Sequence, residues 1–101
     1  MLRAMTHAIQ ASKLRWRLYD QAVKPLSFER AFYLATMGGG AFFGNVGSFL
    51  DGYEFDAVVL DDASLDHPQA LSVRARLERA AYLADDRNLT AKFVAGQKIL
   101  G

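Results

Sequence analysis

The sequence predicts a mixed α and β fold, and three observations carry the prediction. Residues 2–19 and 73–84 set apolar side chains at helical spacings of three and four. Residues 54–60 and 91–100 are β-rich runs bounded by glycine turn signals, and a serine stands at the head of two helical patterns, at 27 and at 72. With 101 residues the chain suffices for one small domain, able to bury roughly 60–70% of the surface its unfolded form exposes.

In the first helix, Leu2, Met5, Ile9, Trp16 and Tyr19 fall near one face, and Ala8, Ala11, Leu14 and Leu18 widen it. A stripe that broad needs neighbours on more than one side. Lys24 and Pro25 break the pattern. Ser27 then serves as an N-cap, and Glu29 sits in the first turn, where a negative charge suits the helix dipole. The second helix is expected over residues 28–37, with Phe28, Ala31, Phe32 and Ala35 on its buried side. Gly38, Gly39 and Gly40 are expected to end it, using the left-handed conformation of a C-cap.

Asp51 and Gly52 mark a turn, and residues 54–60 a strand closing on the acidic pair Asp61 and Asp62. Leu71 and Ser72 supply a staple residue and an N-cap for a third helix to about Ala84, with Val73, Leu77, Ala80, Ala81 and Ala84 inward. Residues 91–95 and 98–100 are expected to pair as a hairpin across Gly96 and Gln97.

Half the residues are hydrophobic (51%) and 23% are charged, which excludes a disordered chain. A net charge of +1 supplies no overall field to recruit nucleic acid or anionic membrane. Locally, six bases face two acids through residue 30, six acids and no base lie from Asp51 to Asp66, and six bases face three acids from Leu71 onward. Such blocks read as solvated faces. Without cysteine there is neither disulfide nor thiolate chemistry, which fits a reducing compartment. No uncharged stretch approaches the roughly 18–20 residues that span a bilayer, and no apolar run ends in a small-residue cleavage site. Arg3, Lys13, Arg15 and Arg17 do not form the single polar face of a membrane-surface helix. A cytoplasmic location is the expectation.

Residue chemistry alone assembles no active site. His7 and His67 lie in different elements, with no further donor at ligand spacing, and a metal site needs three or four convergent donors. Asp56, Asp61, Asp62, Asp85 and Asp86 could pair as acid and base or hold a hard cation, but their places at element ends read as caps, turns and surface pairs. The glycine triplet follows a helix and lacks the Lys and Ser or Thr of a phosphate loop. Trp16 and Tyr19 share the apolar face of the first helix and so read as core rather than as stacking platforms for single-stranded nucleic acid.

Four collinear segments nevertheless resemble one family. AIQASKLRWRL at 8–18, ERAFYLATMGGGAFFGNVGSFLDGYEFDAVVLDD at 29–62, RLERAAYLADDRNL at 76–89 and KFVAGQKI at 92–99 are similar to the guanine deaminases of the amidohydrolase superfamily. The resemblance implies a C-terminal fragment of a (β/α)8-barrel enzyme. Residues 1–44 would be the last barrel helix and a post-barrel helix; residues 45–101 would be strands of a small β-sandwich, one further helix and a terminal hairpin. It implies a reaction in which zinc lowers the pKa of a water that attacks guanine, giving xanthine and ammonia. It also implies a homodimeric whole enzyme. The family's His-x-His pair, its other histidines and its last-strand aspartate are expected upstream of Met1, so no catalytic, cofactor-binding or metal-binding residue is carried onto this chain. The partner expected is the upstream barrel portion, with neither nucleic acid nor membrane, and the chain alone is expected to be inactive. The alternative reading is a small interaction module that complements an upstream barrel fragment or dimerises through its apolar N-terminal helix.

Overall fold

The computed structural model describes residues 1–65 and 67–101. Helix α1 spans Leu2–Leu18, with Arg15 and Arg17 in its last turn, where positive charge suits the dipole. Helix α2 spans Phe28–Tyr33 and starts as the sequence predicts: Ser27 Oγ accepts a hydrogen bond from the Arg30 amide at 3.2 Å. Helix α3 spans Val73–Leu83, and Ser72 Oγ accepts from the Ala75 amide, also at 3.2 Å.

These three helices make the core. Met5 and Ile9 of α1 meet Phe28 and Ala31 of α2 and Ala81 of α3, with Leu2, Leu26, Ala35 and Leu77 at the margin. Burying each of the larger of these side chains contributes about 1.5–3 kcal/mol. The Leu26 amide donates to Ser12 Oγ at 2.8 Å, which holds the α1–α2 connection down against α1.

Strands β1 (Ala57–Leu60), β2 (Leu89–Val94) and β3 (Gln97–Leu100) form an antiparallel sheet in that order. Ala57 pairs with Phe93 and Val59 with Ala91, and the register shifts between Val59 and Leu60. Side chains alternate along a strand, so Leu89, Ala91 and Phe93 share a half-buried face while Thr90, Lys92 and Val94 face outward. Among the described residues, no strand residue joins the helical core cluster.

Six expectations need correction. The second helix does not stop at the glycine triplet. It passes into a π-helical turn over Leu34–Gly38, continues helically through Gly39 and Gly40 (φ −69° and −68°), and ends in a 3₁₀ turn at Ala41–Phe43. Here Thr36 Oγ1 donates to the Phe32 carbonyl at 2.7 Å, and the Gly39 amide reaches Leu34 O, five residues back. Glycine is needed at 39 and 40 because a Cβ there would stand 2.4 Å from Leu34 O and 2.8 Å from Val46 O.

The first left-handed glycine of this region is Gly44, at φ 105°. The hairpin turn lies one residue earlier than expected: Ala95 and Gly96 are its central residues, both at positive φ (50° and 79°), which is the type I′ geometry that matches strand twist. The first strand begins at Ala57 rather than Glu54: the Glu54 amide donates to Asn45 O and its carbonyl accepts from the Asp56 amide, so Glu54 stands outside the ladder. Val73 is exposed, whereas Leu77, Ala80 and Ala81 face inward as expected; Phe32, expected on the buried side of the second helix, is exposed as well. Finally, Trp16 and Tyr19 are exposed rather than core: among the described residues, α1 contributes Leu2, Met5 and Ile9, all from its N-terminal half, to the core cluster.

The resulting shape is a slab of 45 × 39 × 21 Å. Its radius of gyration is 15.5 Å, whereas a compact domain of this length has roughly 13 Å. Accessible surface is 7734 Å², against about 5,700 Å² for a monomer of this mass. Large apolar side chains contribute to that exposed surface. Leu14, Leu18 and Tyr19 on α1, Phe42 and Phe43 after the glycines, and Phe49 and Leu50 beyond them are all exposed.

Candidate functional site

The acids singled out in the sequence are dispersed, and four of the five are engaged. Asp56 accepts from the Ala95 amide at 2.8 Å and so closes the hairpin turn onto β1. Asp61 accepts from the Ala63 amide at 2.9 Å. Asp62 receives a two-point ion pair from Arg76 at 2.7 and 2.9 Å. Asp85 caps the 3₁₀ turn Asp86–Asn88 and takes Arg87 at 2.7 Å, while Asp86 lies exposed within that turn. The hydrogen bond from Arg76 holds the Asp62 carboxyl below its ordinary value, and the one from Arg87 does the same for Asp85. A carboxylate made less basic in this way is a poorer proton acceptor at neutral pH.

His7 lies on the exposed side of α1, and His67 Nδ1 sits 3.1 Å from the Gln69 amide in a local turn. Among the described residues, no three His, Asp or Glu converge as a metal site would require. The residues present therefore do not fit the zinc that the resemblance implies. His67 also lines a shallow open groove with Leu71, Ala75, Glu78 and Tyr82, beside α3.

Sequence reasoning missed the best-knit polar centre, which is Asn88. It is buried, its Nδ2 donates to Asp61 O and to Ser64 Oγ at 2.9 Å each, and its Oδ1 accepts from the Asp85 amide at 3.0 Å. Its main-chain oxygen also accepts from the Asp61 amide at 2.8 Å. The residue ties the end of α3 to the end of β1. An Asp three residues before an Asn, a reciprocal capping box, was the signal available in the sequence.

A second cluster joins α2 to α3. Arg74 donates to Glu29 at 2.5 Å and pairs with Glu78, and its guanidinium lies 5.5 Å from the centre of the Phe28 ring. The hydrogen bond from Arg74 lowers the Glu29 carboxyl below its usual range. Both clusters hold elements in place. Beside them, the described residues expose extensive apolar surface, including Leu18, Tyr19, Phe42 and Phe43.

No helix among the described residues is long and apolar enough to cross a membrane. Comparison with known proteins matches the chain to the amidohydrolase family over residues 1–99. It is 37% identical to the guanine deaminase of Dictyostelium discoideum across 74% of this chain and 18% of that protein. Against the guanine deaminase of Homo sapiens it is 30% identical, across 99% of this chain and 24% of that one.

The crystal structure of guanine deaminase from C. acetobutylicum, with guanine bound in its active site, superimposes with a TM-score of 0.91 at 44% identity. That match covers 98% of this chain and 23% of the other. The E. coli guanine deaminase gives 0.76 at 30%, over 97% and 23%. The chain thus spans about a quarter or less of the length of these relatives. With a family match over almost its whole length and a mixed helix and strand fold that follows a relative closely, the chain belongs to the amidohydrolase family.

Proposed function

We propose that this chain is the closing portion of a guanine deaminase-like amidohydrolase, and that it supplies scaffold rather than chemistry. The observation that carries this reading is the superposition on the guanine-bound C. acetobutylicum enzyme at 44% identity over 98% of the chain. Residues 1–44 would serve as the final barrel helix and a post-barrel helix, and residues 45–101 as the strands and helix of a small sandwich. Guanine would be the substrate of the whole enzyme and xanthine and ammonia its products, with the zinc ligands and catalytic groups on polypeptide outside this chain. Zinc, where bound, supplies an acidified water for attack on the ring. A homodimeric whole enzyme and a cytoplasmic location belong to the same reading.

The test is direct. The purified chain, assayed for guanine hydrolysis with zinc added, is expected to give no turnover above buffer. Measurable xanthine formation would overturn the assignment of chemistry elsewhere. The same segment grafted in place of its counterpart in the C. acetobutylicum enzyme is expected to restore hydrolysis; a folded but inactive graft would count against membership of the guanine-specific group.

A second reading is favoured by the excess apolar surface. The chain would act as an interaction module that joins a separate barrel polypeptide, or dimerises through α1. Size-exclusion chromatography giving a cooperatively melting monomer would remove exposed surface as a driver of association.

A further inference from the structure

A polypeptide can modify itself where an aspartate precedes a residue whose amide nitrogen is unengaged and uncrowded. Asp51 is the single aspartate of this sequence followed by glycine. Both residues are exposed, at the centre of a turn closed by the Tyr53 amide donating to Leu50 O at 3.1 Å. Gly52 takes φ 84°, a conformation such turns reserve for glycine, and even a Cβ at this position would meet nothing within 4 Å.

Other aspartates lack these conditions. The nitrogen after Asp62, that of Ala63, donates to Asp61 Oδ1 at 2.9 Å, and the nitrogen after Asp86, that of Arg87, donates to Asp85 Oδ1 at 2.9 Å. Asp20, Asp56, Asp61, Asp62 and Asp85 have their own carboxylates engaged by amides or arginines. Among the described residues, neither the Asp51 carboxylate nor the Gly52 amide has a hydrogen-bond partner.

We propose that Asp51 is a self-modification site, converting to isoaspartate through a cyclic imide with Gly52 and with water as the sole co-reactant. The Gly52 nitrogen gives up its proton and bonds to Asp51 Cγ, and one carboxyl oxygen leaves as water. Water then adds back at either imide carbonyl. Breaking the bond from nitrogen to Cγ restores aspartate; breaking the bond from nitrogen to the main-chain carbonyl carbon leaves the chain running through Cγ, with that carbonyl carbon now a free carboxylate. One water is lost and one regained, and nothing is oxidised or reduced. Ring closure requires the peptide between Asp51 and Gly52 to swing toward the side chain, and the exposed bond from Tyr53 to Leu50 is what opposes the swing. The product carries an extra backbone carbon inside the turn that brings the Phe49 and Phe55 rings to 5.7 Å, so conversion loosens the entry to β1.

Incubation of the chain in oxygen-18 water, followed by digestion and fragment mass spectrometry, tests this. One oxygen-18 is expected at Asp51, because each reopening of the imide takes its oxygen from solvent, and none at Asp20, Asp56, Asp61, Asp62 or Asp85. A growing fraction is expected to resist cleavage before residue 51 by an endoprotease that cuts at aspartate and not at isoaspartate. Asp51→Glu, whose ring would be one atom larger, is expected to lose the label while circular dichroism stays that of the parent. Asp51→Asn, which expels ammonia in place of water, is expected to convert several-fold faster. In the converted fraction the Tyr53 and Glu54 amides are expected to exchange several-fold faster than in the parent. An unlabelled Asp51 in the parent overturns the proposal whatever the variants do, and so does labelling confined to urea. Equal labelling at Asp61 or Asp85 refutes the selection of this site by its unengaged nitrogen, and unchanged exchange at Tyr53 and Glu54 refutes the loosening.

Discussion

Replacing Asn88 with alanine removes three side-chain hydrogen bonds at once, at 2.9, 2.9 and 3.0 Å, from a residue only 6% exposed. A neutral hydrogen bond contributes about 1 kcal/mol net, and a buried group left unsatisfied costs about 1–3 kcal/mol. Ser64 can turn its hydroxyl elsewhere, but Asp61 O and the Asp85 amide lose their partner. A local loss of about 2–4 kcal/mol follows, which corresponds to roughly 30-fold to several hundred-fold faster opening of this region. The reporter is the Asp61 amide. It donates to the Asn88 main-chain oxygen, a bond the alanine variant retains, so its exchange measures opening of the joint rather than deletion of its own acceptor. Asn88→Asp separates the two halves of the side chain: the acceptor for the Asp85 amide stays, while an oxygen now faces the Asp61 carbonyl. Protection at Asp61 is therefore expected to fall in both variants. Exchange at Asp61 within about threefold of the parent in Asn88→Ala would show that the joint does not depend on this residue, and would falsify the assignment of Asn88 as its centre.

Glycine substitutions separate crowding from backbone strain. A Cβ at Gly47 (φ 87°) would lie 2.4 Å from Thr36 O, whereas one at Gly52 (φ 84°) meets nothing within 4 Å, so Gly47→Ala is expected to cost clearly more than the ~1 kcal/mol of Gly52→Ala, in matched denaturant titrations. Equal costs would mean the Thr36 contact yields without penalty. Ala95→Asn places a residue that tolerates left-handed backbone in the hairpin turn and is expected to raise stability by about 0.5–1 kcal/mol; a loss would contradict the turn geometry. Arg74, Arg76 and Arg87 depress Glu29, Asp62 and Asp85, so the folded state gains stability above the ordinary carboxylate range and loses it as pH falls through that range toward the lower folded values. Circular dichroism is expected to stay flat from neutral pH to about 5 and decline below about 4, less steeply in Glu29→Gln. A Glu29→Gln profile that superimposes on the parent would remove the Arg74 pair as a contributor.

Features that depend on a few neighbouring residues were legible in the sequence. Ser27 and Ser72 cap the helices predicted for them, and Gly52 takes the left-handed conformation its turn requires. Features set by residues distant in sequence were not. Gly40 must be small because of Val46, and Gly47 because of Thr36, so the triplet that reads locally as a stop is in fact a crowded continuation. The hairpin shifted by one residue because Asp56, far upstream, binds the Ala95 amide and fixes the turn there. Asn88 escaped notice because its partners Asp61 and Ser64 come from another connection. As for the site, the segments that resemble the family, such as residues 29–62 and 76–89, fall on helices, turns and a strand.

The 21 Å thickness of the slab also has an electrostatic consequence. No large side chain among the described residues is less than 2% exposed, so none of them is sealed completely from solvent. The carboxyl shifts accordingly arise first from hydrogen bonds to arginine, with burial only opposing them. A catalytic acid or base tuned by desolvation needs a dry, low-dielectric wall around it. This chain can form one side of such a wall, and a second body closing over its apolar face would be needed to complete it.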